Sequence, residues 1–293
     1  MKFSVLLPVS PETSDPGTVV AVARHAESLG FEAVSAVEHT VVVSDTDSRY
    51  PYSPDGKLSL PHDLPYPDPL ELLAYVAGAT DSIGLSTSVL VLPNHHPVVL
   101  AKRLATLDRL SRGRLRICLG LGWMREEIEA CGGVFGKRGK MADESIDLMR
   151  ALWQGTGPEG VVFEGDFFRV ENAHSYPKPY REAGVPLHIG GHSAAAARRA
   201  GRRGDGFQPL GLSGDDLSGA IELARSTAKE AGRDPAALEV TLGWTLPRAH
   251  EQVEWAESMG ADRMLLSGSR RATNAEALME EMADTAAALG LGR

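Results

Sequence analysis

A chain of 293 residues, 43% hydrophobic and 24% charged, has ordinary globular composition, and its length fits one α/β barrel with insertions. A formal net charge of −9 argues against nucleic acid or an anionic membrane as partner, because both attract cationic surfaces. Two cysteines, Cys118 and Cys131, supply neither a disulfide framework nor a zinc set and read as reduced thiols.

The opening run from Met1 to Pro8 is too short for the apolar core of a signal peptide and reads as a first strand. Nowhere does the chain approach the roughly 18 apolar residues of a membrane span, so a cytoplasmic protein is expected. Short runs rich in Val, Ile and Leu predict strands near 2–8, 32–38, 83–91, 114–120, 186–190, 204–208, 237–243 and 262–267. Between them, amphipathic periodicity predicts helices near 16–30, 69–81, 97–112, 141–154, 193–203, 214–232, 247–259 and 273–289. Eight strand-then-helix units without a dinucleotide fingerprint predict a closed (β/α)8 TIM barrel rather than an open sheet, as a single domain over 1–293.

Helix starts are marked by Asp15-Pro16 and Asp68-Pro69, with Glu71 completing a capping box on Asp68. Asp234-Pro235 predicts a short helical turn before the seventh strand, and Gly30 and Gly113 stand where left-handed helix ends are expected. Two stretches break the rhythm. Residues 40–67 form a long connection with five prolines and the aromatics Tyr50, Tyr52 and Tyr66. Residues 155–185 contain a hairpin signal, Val161–Val170. Connections longer than about 12–15 residues are usually functional, so both are read as walls of a substrate pocket, the first as a lid.

Four places can carry chemistry. In the second strand Ala33, Ser35, Val37 and His39 share one face, which brings His39 to the C-terminal mouth. There it is either a proton donor and acceptor or a structural histidine bonded to the lid. Gly190-Gly191-His192-Ser193 ends the fifth strand and opens a helix, which is either a phosphate cradle or a tight turn. The long third strand carries Ser86, Ser88 and Val89, and the fourth ends in Gly120-Leu-Gly122-Trp123, glycines beside a large aromatic. His95-His96 is not read as a metal site, because adjacent histidines seldom converge on one ion and no carboxylate is suitably spaced.

In this order along the chain the motifs resemble the luciferase-like monooxygenase superfamily, closest to its branch dependent on the deazaflavin coenzyme F420. The carrying residues are Ala26–Phe31, Glu38-His39, Ser86–Pro93, Pro97–Leu115, Gly120–Glu127, Lys178-Pro179 and His188–Ser193. The resemblance implies a flavin or deazaflavin ring across the barrel mouth and a non-proline cis peptide at Ser88-Val89 behind it. It further implies that Gly190, Gly191, His192 and Ser193 hold the cofactor phosphate. Gly120, Gly122 and Trp123 would line the ring's edge, and His39 would lie near the reactive carbon. Similar sugar-phosphate dehydrogenases carry a glutamate where this chain has Trp123, so sugar-phosphate oxidation is not expected. The expected function is hydride transfer between coenzyme F420 and a small organic substrate. An FMN-dependent monooxygenase is the alternative, and a non-catalytic cofactor-binding protein is a third reading. A homodimer and a separate cofactor reductase are the expected partners.

Overall fold

Strand and helix alternate along nearly the whole chain of the computed structural model, which describes residues 1–44, 46–58, 61 and 63–292. β1 (Lys2–Leu6), β2 (Ala33–Ala36), β3 (Gly84–Thr87), the two-residue β4 (Leu90–Val91) and β5 (Leu115–Gly120) come first. The hairpin β6 (Val161–Glu164) and β7 (Arg169–Ala173) interrupts them, before β8 (Leu187–Gly190), β9 (Gly206–Gln208), β10 (Glu239–Thr245) and β11 (Arg263–Ser267). β1 pairs in parallel with β2 and β11, and β3 pairs with both β2 and β5, which closes an eight-stranded parallel barrel.

The outer layer is α1 (Pro16–Ser28), α2 (Pro69–Ala79), α3 (Pro97–Leu110), α4 (Arg125–Ala130), α5 (Arg138–Gln154), α6 (Ala194–Arg203), α7 (Gly214–Glu230), α8 (Val253–Ser258) and α9 (Ala275–Leu289). Predicted caps form: Asp15 accepts from Thr18 N at 2.7 Å, and Asp68 from Leu70 N at 2.8 Å. Glu71 pairs with Arg103 at 2.5 Å. Gly30 and Gly113 take φ of 83° and 81°, as the left-handed ends require.

Three elements differ from expectation. The third strand, expected as one run over 83–91, is the two segments β3 and β4, and the cis peptide expected at Ser88-Val89 is present between them. The helix expected over 247–259 is two 3₁₀ turns and the six-residue α8, because Pro247 opens a tight turn that does not propagate. α4 was not foreseen, since a six-residue charged segment carries too few apolar positions to show a period.

Side chains alternate along each strand. Val5, Val34, Leu85, Ile117, Leu187, Phe207 and Val240 are buried on one face, within the main apolar core. The opposite face is unusually polar: Ser4, Ser35, Ser86, Arg116, Cys118, His188, Gln208, Thr241 and Arg263 share the lining of an internal cavity. At the strands' N-terminal end Arg263, only 2% exposed, bonds Glu32 at 3.0 Å and Glu239 at 3.1 Å. Arg116 joins Glu32 at 2.8 Å, and Lys2 joins Glu239 at 3.0 Å. Burial alone would raise the Glu32 carboxyl, but the Arg116 and Arg263 charges outweigh it and hold it at about 2. Glu239 is held at about 2 in the same way, chiefly by Arg263.

His188 lies beside these cations, and burial, reinforced by Arg116 and Arg263, pushes it down to about 3. An unfolded imidazole titrates near 6.5. Between those values the unfolded chain therefore binds a proton that the barrel refuses, and stability falls as pH drops from about 6.5 toward about 3. Glu32 and Glu239 add to the loss from about 4.3 down to about 2. Thermal unfolding followed by circular dichroism should show this slope, and His188→Asn should flatten its part above about pH 4.5. An unchanged slope in the variant rejects the assignment.

Candidate active site at the barrel mouth

β2 ends at Ala36, so Glu38 and His39 lie beyond its last ladder bond. Glu38 is buried; it accepts from Val91 N, and its other oxygen is 2.6 Å from His95 Nε2. His95 thus does have a carboxylate partner, contributed by a neighbouring strand rather than by sequence spacing, and the pair fastens β4 to the end of β2. His96 meets the Phe168 ring at 5.5 Å.

His39 Nδ1 lies 3.0 Å from Glu127 Oε2 on α4. Glu127 is 2% exposed, and its other oxygen accepts from Thr40 N at 2.6 Å. The His39 ring stands edge-to-face against Tyr66 at 5.2 Å and Trp123 at 6.2 Å. The row continues through Tyr50, 5.2 Å from Trp123, to Tyr52, and then to His192 at 5.6 Å. A Cβ on Gly211 would lie 2.9 Å from the Tyr52 ring, so Tyr52 rests on the loop after β9 as well. The segment expected to be a lid therefore crosses the mouth from β2 to the β8 and β9 loops. Its root is held by Asp47 N to Glu126 at 3.1 Å and Arg125 N to Ser48 Oγ at 2.9 Å. Asp45, Ser59, Leu60 and His62 of that segment lie outside the described residues. Burial pushes the Tyr52 and Tyr66 phenols up to about 12, so both remain neutral hydroxyls at physiological pH.

Beneath the lid, Val89 fills the space that side chains on Gly120 and Gly190 would need: a Cβ on Gly190 would be 2.6 Å from Val89 Cγ1, and one on Gly120 closer still. Gln208 Nε2 donates to Ser88 Oγ at 2.9 Å, and Gly191 N donates to Gln208 O at 3.1 Å. Gly122, at φ 69°, packs under Val91 and Ile128 and sets the direction of Trp123. Ser193 caps α6 by accepting from Ala196 N at 3.2 Å. Gly243 is exposed near the C-terminal end of β10, and a Cβ there would meet nothing within 4 Å.

These glycines make a paired test. Gly120→Ala drives a methyl into Val89 and should cost about 1–3 kcal/mol. Gly243→Ala enters open space and should stay within about 0.5 kcal/mol of the parent. Urea unfolding of both variants checks the contrast, and equal losses would show that Val89 is not the obstacle.

The fold brings His39, Trp123 and His192 into one aromatic row and places Ser88, Val89, Gly120 and Gly190 in one patch of contacts. The hairpin follows α5, whose Glu144 accepts from the turn amides of Phe167 at 3.0 Å and Phe168 at 2.6 Å. Among the described residues its ring contacts are with His96 and Lys137, not with the His39 row. Sequence reading gave no role to Glu127, Gln208 or Gly211. Glu127 lies within the Gly120–Glu127 motif, but its contact with His39 depends on α4's orientation, which buries it.

The family model for luciferase-like monooxygenases matches residues 1–291. The chain belongs to that family. An uncharacterized protein of Mycobacterium tuberculosis (strain ATCC 25618 / H37Rv) is 32% identical over 281 residues, which is 92% of this chain and 95% of that one. An F420-dependent glucose-6-phosphate dehydrogenase of Amycolatopsis mediterranei (strain U-32) is 28% identical, over 94% of this chain and 79% of its own. Among solved structures, the monooxygenase RslO1 from Streptomyces bottropensis superposes with a TM-score of 0.79 at 21% identity, covering 99% of this chain and 98% of that one. An F420-dependent secondary alcohol dehydrogenase superposes at 0.77 and 19%, over the whole of both chains. These solved structures share the chain's fold. Among the described residues, no helix is long and apolar enough to cross a membrane.

Proposed function

We propose that the protein is an oxidoreductase that transfers hydride between coenzyme F420 and a small organic substrate, with His39 moving the accompanying proton. The observation that carries this reading is His39 itself: a titratable ring at the mouth, held by a buried carboxylate and walled by Tyr66 and Trp123. The residues fit a ring bearing a phosphate. Glycine at 190 and 191 removes the side chains nearest the head of α6, and the first amides of a helix have no acceptors within it. Gly190, Gly191, His192 and Ser193 would hold the phosphate, while Ser88, Val89, Gly120, Gly122 and Trp123 would bound the ring.

When bound, the cofactor supplies or takes up the hydride. The lid tyrosines exclude water, and Trp123 and Tyr66 keep the His39 ring in one plane. The ring nitrogen not facing Glu127 is then the atom that gives or receives the proton. Trp123 in place of a carboxylate argues against sugar-phosphate oxidation. An FMN monooxygenase is the second reading, since the oxygenating constituent of a 3,6-diketocamphane monooxygenase, solved in complex with FMN, has the same fold. A homodimer and a separate cofactor reductase belong to the same proposal.

Fluorescence titration of the apo-protein with coenzyme F420 and with FMN tests it. Selective micromolar binding of F420 supports the reading, selective FMN binding with oxygen consumption transfers it to a monooxygenase, and binding of neither rejects both.

A further inference from the structure

Glu127 is 2% exposed, yet among the described residues no lysine or arginine pairs with it. Two backbone N–H groups are directed at Oε1, Thr40 N at 2.6 Å and Val41 N at 3.4 Å, and His39 Nδ1 lies 3.0 Å from Oε2. A carboxylate accepts and does not donate, so it completes this set only if His39 carries its proton on Nδ1. From this arrangement we infer that Glu127 is a positioning residue that fixes His39 in the Nδ1–H tautomer and leaves Nε2 as the exchanging atom. The inference rests on reading His39 as the proton carrier, but its central claim is where a proton resides.

Among the described residues, neighbouring rings flank His39 and the nearby carboxylate is already engaged. Tyr66 and Trp123 stand edge-on to the ring from two directions, and Glu38, the neighbouring carboxylate, is engaged by Val91 N and His95. Because Glu127 also holds the amides of Thr40 and Val41, one side chain orients the histidine and anchors the first residues of the lid. Glu126 anchors the next few through Asp47 N. α4 therefore links the Gly120–Trp123 turn, the histidine and the lid root.

Glu127→Gln keeps the shape and reverses the hydrogen bond. The amide oxygen must stay with the Thr40 and Val41 N–H groups, since turning it away would set the new NH₂ against two donors. That leaves the NH₂ facing Nδ1, which accepts it only with the ring proton moved to Nε2. The test uses full-length protein labelled with ¹⁵N-histidine, free of cofactor, at alkaline pH where an imidazole is neutral. Two-bond ¹H–¹⁵N correlations report the tautomer, and the signal missing from His39→Gln identifies residue 39. The expected result is a proton on Nδ1 in the parent and in Glu127→Asp, and on Nε2 in Glu127→Gln. A parent already protonated on Nε2, or a Gln variant that keeps Nδ1–H, overturns the inference. The parent spectrum alone can do so if the Gln variant does not fold. A tautomer that switches while turnover stays unchanged upholds the role of Glu127 and removes the proton-carrying role of His39.

Discussion

His39→Ala should keep its fold and its cofactor affinity and lose roughly 10²–10⁴-fold in turnover, the usual contribution of a positioned acid or base. The fold survives because Glu127, deprived of the imidazole, still accepts from Thr40 N and Val41 N, so no buried carboxylate is left bare. Cofactor affinity survives because the residues proposed to bound the ring and its phosphate belong to β3–β4, β5 and the head of α6 rather than to β2. Steady-state kinetics with whichever cofactor binds, beside a separate fluorescence titration, measure the two quantities independently. Equal loss of turnover and affinity would make His39 a binding residue, and full retention of turnover would leave it with a structural role alone.

Arg263→Met should be the most destabilising single change among those considered, at about 3–5 kcal/mol, the range for removing one partner of a buried ion pair. Against a typical total of about 5–15 kcal/mol that is a large fraction. The loss falls unevenly. Glu32 retains Arg116, whereas Glu239 retains Lys2, which is half exposed, and His188 at 3.5 Å, which the barrel keeps neutral. The deficit relative to the parent should therefore shrink on acidification, as the stranded Glu239 takes up a proton. Adding Glu239→Gln should recover part of it at neutral pH. Urea unfolding at two pH values, with the double variant as the coupling test, checks both. A deficit independent of pH and unaffected by the second substitution would place the cost in lost packing rather than in stranded charge.

Much of this was legible along the chain because it depends on neighbours in sequence. The eight strand-and-helix units, the caps at Asp15 and Asp68, and the left-handed Gly30 and Gly113 follow from local periodicity and backbone preference. Glycines 120 and 190 were visible as exceptions, and their cause, the shared neighbour Val89, was not. The hairpin was recognisable from its turn residues, whereas its direction depended on α5, whose Glu144 gathers the turn amides. His39 could be placed at the mouth by counting along a strand, since alternation is a local property.

What makes that histidine a candidate depends on distance in three dimensions. Glu127 stands 88 positions away in sequence, where nothing marks it as the histidine's partner. The tyrosine row joins three separate loops, and the buried Arg263 is tied to a glutamate 231 residues earlier. Composition and periodicity determined which residues turn inward and in what kind of element. Closure of the barrel decided which of them meet, because a charge or a ring acquires its chemistry from partners that only the closed sheet brings within a few ångströms.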